Sequence, residues 1–166
     1  IYPSKIIEYS LFNAPPFFWY LGNSALLNNH YYSLIFSSDF NEISKQYVLD
    51  LTDKIDKKEF GIALSFRKKN HFELAEIILE KGFSVLGVTP YGLQNFTKFP
   101  FIMNHLNKNN LLLLSQSFPT SKKYYKSIGK SQLDAMIAIS DNVNIVISER
   151  GTIHEETISL ICDHLT

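Results

Sequence analysis

The chain has 166 residues, 45% of them hydrophobic and 14% aromatic, with sixteen basic side chains balancing sixteen acidic ones. That length and apolar content suit one domain with a substantial core and exclude a disordered tail. Zero net charge excludes a molecule-wide field that attracts nucleic acid or membrane, so affinity for either has to come from a local patch.

Cys162 is the one cysteine, which rules out an intrachain disulfide and a thiolate metal cluster. No run approaches the roughly 20 apolar residues of a membrane span. The first residues lack the charged and apolar regions of a signal peptide. A reduced, cytoplasmic setting without membrane association is expected. The chain opens on Ile1 instead of Met, so a longer parent protein is also expected.

Residues 1–30 form an aromatic, proline-containing opening, expected to pack on the domain as an extension. Tyr32 to Phe36 is the first expected strand. Ile43, Tyr47, Val48, Leu51 and Ile55 recur at helical spacing and predict a helix with those side chains on its inner face. Phe60 to Leu64 is the second strand. Asn70 is the expected N-cap of the next helix, with Glu73 three residues on and Gly82 as its stop. Phe83 to Val88 follows as a strand. A loop carrying Pro90, Gly92 and Pro100 then leads into a helix through Phe101 and Leu106. Leu111 to Leu114 is a continuous apolar run of the kind buried on both faces. A polar loop, Ser115 to Lys126, precedes a helix ending near Ser140. Asn144 to Ile147 is the fifth strand, and Ile153 to His164 reads as a closing helix.

This alternation implies a Rossmann-like three-layer α/β domain occupying residues 1–166. Its mainly parallel sheet has about five or more strands, with helices on both faces. Such sheets bind ligands at the carboxyl ends of their strands, where strand order reverses. The loops beginning at Ser37, Ser65, Thr89, Ser115 and Ser148 are therefore the places to look for function.

Enzyme motifs are wanting. The five histidines are scattered, and His154-Glu155-Glu156 is not a zinc-binding His-Glu-x-x-His. Gly-x-Ser-x-Gly does not occur. Gly129-Lys130-Ser131 resembles the end of a P-loop, but Tyr124 stands where the earlier glycine belongs. Phe36-Ser37-Ser38-Asp39-Phe40 has no glycine to admit a pyrophosphate. No cofactor, metal or catalytic residue is expected; His71 with Glu73 is the nearest acid–base pair, and Glu73 reads better as a capping residue.

Positive charge does gather in two places. Lys122, Lys123, Lys126 and Lys130 crowd one loop with Tyr124 and Tyr125 among them, and Arg67, Lys68 and Lys69 follow the second strand. Lysines neutralise phosphates and rings stack on bases, a combination suited to single-stranded nucleic acid. Two solvated loops are the simpler alternative.

The opening Tyr2-Pro3, followed by Pro15-Pro16-Phe17-Phe18-Trp19-Tyr20-Leu21-Gly22-Asn23, resembles the start of the DprA/Smf DNA-processing family, "PPxxLYxxGN". Further likenesses come in family order. The stretch from Phe60 to His71 resembles "SGxAxGIDxxAH", and Gly82 to Pro100 resembles "GxTIAVLGxGLxxxYP". Leu113-Leu114-Ser115-Gln116 is similar to "LLSE", and Met136 to Ile147 to "IIAGLSDxVVVVEA".

The departures fall where the family binds. "VGSR" becomes Ile35-Phe36-Ser37-Ser38, "GID" becomes Ser65-Phe66-Arg67, and "RNR" becomes Gln132-Leu133-Asp134. Each lost charge-assisted phosphate contact typically weakens binding by roughly 1.5–3 kcal/mol. Such a pattern fits either a decayed phosphate pocket or one rebuilt with other cations. The resemblance implies a non-catalytic single-stranded DNA-binding module acting through Ser37, Ser38, Arg67, Lys69, Lys126 and Lys130. It also implies a RecA-like recombinase as partner and pairing into a homodimer. A scaffold that has lost its ligand, or a nucleotide-binding sensor, is the alternative.

Overall fold

A computed structural model of the protein describes residues 18–36 and 41–146. The expected loop residues Ser37 and Ser38, Ile147 of the fifth strand, the closing helix and the first seventeen residues lie outside that range.

The described strands are β1 (Trp19–Gly22), β2 (His30–Phe36), β3 (Phe60–Ser65), β4 (Val85–Thr89), β5 (Leu111–Ser115) and β6 (Asn142–Val146). They form one sheet in the order β1-β5-β4-β3-β2-β6. All neighbours are parallel except β1, which runs antiparallel to β5. Every residue of β4 and β5 is buried, as their unbroken apolar runs require of strands covered on both faces. β1 lies in the stretch expected to be an extension. It is instead a strand of the sheet, and it covers the edge that apolar β5 would otherwise present.

The described helices are α1 (Glu42–Thr52), α2 (Lys69–Glu80), α3 (Pro100–Asn107) and α4 (Lys126–Ile139). Val48, Leu74, Ile78 and Ile102 from the first three pack on Leu34, Ile62, Leu64, Val85, Leu111 and Leu113. Ala135, Ala138 and Ile139 of α4 pack on the alternate strand residues Ala63, Leu86, Leu112 and Leu114. The division follows from handedness. Right-handed crossovers stepping from β2 to β5 put α1 to α3 on one face, and the return from β5 to β6 puts α4 on the other. The strand order reverses between β2 and β6.

Several element boundaries and faces differ from expectation. In α1 the inner face is Ser44, Val48 and Thr52, while Ile43 and Tyr47 are 77% and 55% exposed. The small polar residues tolerate burial because their hydroxyls bond locally, Ser44 to Asn41 Oδ1 and Thr52 to the Leu49 carbonyl. Val48, Leu51 and Ile55 do pack on the core as expected, Ile55 from beyond the helix end. Asn70 is not the N-cap of α2; Lys68 is, and its side chain makes no capping bond. Burial of Phe66 and His71 on either side sets that start.

At the other end of α2, Gly82 has φ +90°. The amides of Gly82 and Phe83 bond back to the Leu79 and Ile78 carbonyls at 3.0 and 3.4 Å, a Schellman closure. Phe83 is consequently an anchor after the helix, and the strand begins at Val85 instead. β6 likewise begins at Asn142, two residues early. The Asp141 carboxylate accepts from the Tyr31 amide at 2.9 Å and the Asp141 amide donates to the Tyr31 carbonyl, so pairing with β2 starts at once.

Candidate nucleic-acid interface

Three loops leave the carboxyl ends of β3, β4 and β5 and are bolted together. The Gly92 amide donates to the Ser121 carbonyl at 2.8 Å, and Asn95 Nδ2 donates to the Gly92 and Ser121 carbonyls. Ser115 Oγ donates to Tyr91 O, Ser117 Oγ to Pro90 O, and Thr89 Oγ1 to Phe66 O, all within 2.6–2.9 Å. Gly92 permits this: a Cβ there would stand 2.3 Å from the Phe118 and Pro119 carbonyl oxygens. The loops thus present fixed positions, as a binding edge requires.

Arg67 rises from that edge, because Phe66 before it is wholly buried against Phe72 and Phe96. Its guanidinium lies 4.4 Å from the centroid of the Tyr124 ring, a cation–π contact. Tyr124 in turn rests on Gly129 in the first turns of α4, where a Cβ would stand 2.3 Å from the phenol oxygen. One tyrosine therefore joins the two basic stretches of the sequence.

Beside this pair opens a cleft of about 290 Å³. The rings of Phe72, Phe96, Tyr91 and Phe99 line it with Asn95, and Arg67, Lys98 and Lys122 supply its charges. Lys98 Nζ lies 5.5 Å over the Phe99 ring. Among the described residues that line it there is no carboxylate, so its electrostatics favour an anion, and its rings favour a flat partner.

The expected site residues are distributed unevenly. Arg67 belongs to the cleft. Lys126 and Lys130 are exposed on the first turns of α4, beside Tyr124. Lys69 is turned to Glu73, 3.6 Å away and one helical turn on, the lysine in solvent and the carboxylate half-exposed. Counted from Lys68 as N-cap, Glu73 is two positions past the one a capping box uses, and its ion-pair partner is Lys69. Lys98, Tyr91 and Phe99 were not expected. They sit in the stretch resembling "GxGLxxxYP", which read as framework, and only the fold carries them to Arg67.

His71 is 6% exposed, with Nδ1 3.1 Å from the Ser65 carbonyl. Burial pushes its pKa down to about 4, with the charges of Lys68 and Arg67 adding and the Ser65 bond opposing. It is a neutral brace at the end of β3. Gly129-Lys130-Ser131 lies inside α4, where the Gly129 amide donates to the Tyr125 carbonyl and Ser131 Oγ accepts from Gln116 Nε2.

The segment matching the family's "RNR" is built into the fold. Gln132 is buried and its Nε2 donates to the Val88 carbonyl and to Ser65 Oγ. Leu133 packs on Ile35 and Ile137. Asp134 Oδ1 is buried without a hydrogen-bond partner, and desolvation raises its pKa against the pull of Lys130. Among the described residues no group of three or more His, Cys, Asp and Glu could hold a metal ion, and no helix is long and apolar enough to cross a membrane.

Solved structures share this architecture. DNA processing protein A from Helicobacter pylori, known for a unique mode of single-stranded DNA binding, matches with a TM-score of 0.76 at 19% identity. The match covers 99% of this chain and 75% of the Helicobacter protein. The chain has the fold of DprA. A second example, DprA from Streptococcus pneumoniae, matches with a TM-score of 0.74 at 18% identity over 99% of this chain. This chain spans 56% of the Streptococcus protein's length. No family profile and no curated protein sequence matches the chain. In this DprA-like fold the cations of the cleft, Arg67, Lys98 and Lys122, come from the segments that follow β3, β4 and β5.

Proposed function

We propose that the domain is a non-catalytic single-stranded DNA-binding module whose strand lies along the carboxyl edge of the sheet. The observation that carries this is the cleft in which Arg67, Lys98 and Lys122 surround Tyr91 and Phe99, with Arg67 stacked on Tyr124. Cations for the backbone and rings for the bases are what a single strand needs from a surface. The DprA-like fold supports the same reading. In it, Lys126 and Lys130 extend the cationic track along α4 and Lys69 contributes at its margin; Ser37 and Ser38, outside the described residues, are assigned to the same site by the family resemblance alone. On this reading Arg67, Lys68, Lys69 and Lys130 stand in for the charges missing from the family's phosphate pocket, and Lys98 and Lys122 add to them beside Arg67. Transfer of DNA to a RecA-like recombinase, pairing with a second copy, a single domain over 1–166 and work in the cytoplasm follow from the resemblance and belong to the same proposal.

The test is fluorescence anisotropy of a labelled single-stranded oligonucleotide at about 50 and 200 mM salt, spanning the range over which phosphate contacts weaken steeply. Binding is expected to fall with salt and to be weaker at both concentrations in a Lys126→Ala/Lys130→Ala variant. Absence of binding at the lower salt contradicts the proposal.

A further inference from the structure

Trp19 opens β1 directly opposite Ser115, at the carboxyl edge of the parallel strands. Its side chain shares a face with Leu21, two residues on, which packs against the core under α1 to α3. The cleft lies on that same face, since Phe72 and Phe96 of that core line it. The short turn Leu93–Asn95 touches both β1 and β5, and its Asn95 lines the cleft. One turn of chain therefore separates the cleft from Trp19.

Phe118 meets Trp19 edge to face, with centroids 6.2 Å apart and planes at 80°. The two residues are 41% and 68% exposed. The loop beneath Phe118 is rigid: its carbonyl accepts from the Ser121 amide at 2.8 Å and that of Pro119 from Gln94 at 3.0 Å. The cleft one turn away sets the cations Arg67, Lys98 and Lys122 among aromatic rings, with no carboxylate among the described residues that line it. That combination fits a partner carrying flat rings on a phosphate chain better than an apolar protein surface.

We propose that Trp19 and Phe118 form a base-stacking platform onto which a single strand occupying the cleft continues past β5. The platform rests on the reading of the domain as a binder of single-stranded DNA. β1 lies three inter-strand spacings from β3, about 14 Å. At a stacked rise of 3.4 Å per nucleotide that is about four nucleotides. A strand of three nucleotides fills the cleft alone, whereas one of ten reaches the platform.

Trp19 is the only tryptophan in the chain, so its emission reports on the platform directly. The full chain is titrated with labelled oligothymidines of three and ten nucleotides, following anisotropy, and with unlabelled ones, following tryptophan emission. The longer strand is expected to quench Trp19 and the shorter to leave it nearly unchanged. Phe118→Ala, at a largely exposed position that does not threaten the fold, weakens the longer strand by about tenfold and leaves the shorter unaffected. Binding of the longer strand with unaltered emission and unaltered affinity in Phe118→Ala overturns the platform while the proposed function stands. Emission that responds to protein concentration and not to DNA assigns the rings to self-association and also overturns it. Failure of either strand to bind overturns both readings.

Discussion

His71 shows how a single buried group links this edge to pH. Its pKa falls from the ordinary histidine value of 6.5 to about 4, chiefly through desolvation, so the folded state holds it neutral. In the interval between those values the unfolded chain binds more protons than the folded one. Its contribution is full above about pH 6.5 and is lost as pH falls through 4, amounting to roughly 3 kcal/mol at most. Urea denaturation between pH 7 and 4 is expected to show that decline, and His71→Phe to flatten it. Titration of His71 itself near 6.5 in the folded protein contradicts the assignment. Gly92 works through geometry alone. A methyl group there meets two backbone carbonyls at 2.3 Å, so the loops after β4 and β5 must part. Gly92→Ala is expected to cost about 2 kcal/mol in thermal or chemical denaturation and to weaken oligonucleotide binding beyond that loss. Unchanged stability would mean the loops are not bolted together as described.

At the scale of elements, α1 and α2 are joined by one lysine. Lys81, just past α2, donates from Nζ to the Leu49 carbonyl and Thr52 hydroxyl, each at 3.2 Å, and pairs with Asp53 at 2.6 Å. It thereby places a cation at the C-terminus of α1, where carbonyls lack helical partners. Lys81→Met is expected to cost about 1–2 kcal/mol in urea denaturation, with DNA affinity unchanged because this end of the sheet is remote from the cleft. A loss of affinity at equal stability would contradict the separation of the two ends.

The same scale shows what was legible beforehand. β3, β4 and β5 could be read because strands buried on both faces need unbroken apolar runs, and α2 because Gly82 marks its end. β1 could not: Trp19-Tyr20-Leu21-Gly22 is a four-residue, half-exposed edge strand whose pairing with β5 spans most of the chain. In α1 the spacing picks out Val48 and Leu51 but not the outward turn of Ile43 and Tyr47, because Ser44 and Thr52 satisfy their hydroxyls locally and take inner positions. In the site, Arg67 and the lysines around Tyr124 stood out as clusters along the chain. Lys98, Tyr91 and Phe99 did not, since a lone lysine among aromatics carries no mark until β4 and its loop are set beside β3.

For the whole molecule, zero net charge makes the location of charge decisive. A neutral chain binds a polyanion only where cations are concentrated, and the described structure concentrates them with rings at the carboxyl edge. The direct measurement is the dependence of oligonucleotide affinity on salt, as log K against log salt, for the wild type, for Arg67→Ala/Lys98→Ala/Lys122→Ala, and for Lys108→Ala. Lys108 is exposed beside the start of β5, at the opposite end of the sheet. Each phosphate contact to single-stranded DNA adds about 0.7 to the slope. The triple variant is expected to bind more weakly with a slope shallower by about 2, and Lys108→Ala to match the wild type. Equal slopes in all three proteins, or a loss that follows Lys108 instead, would contradict a single-stranded DNA site at the carboxyl edge.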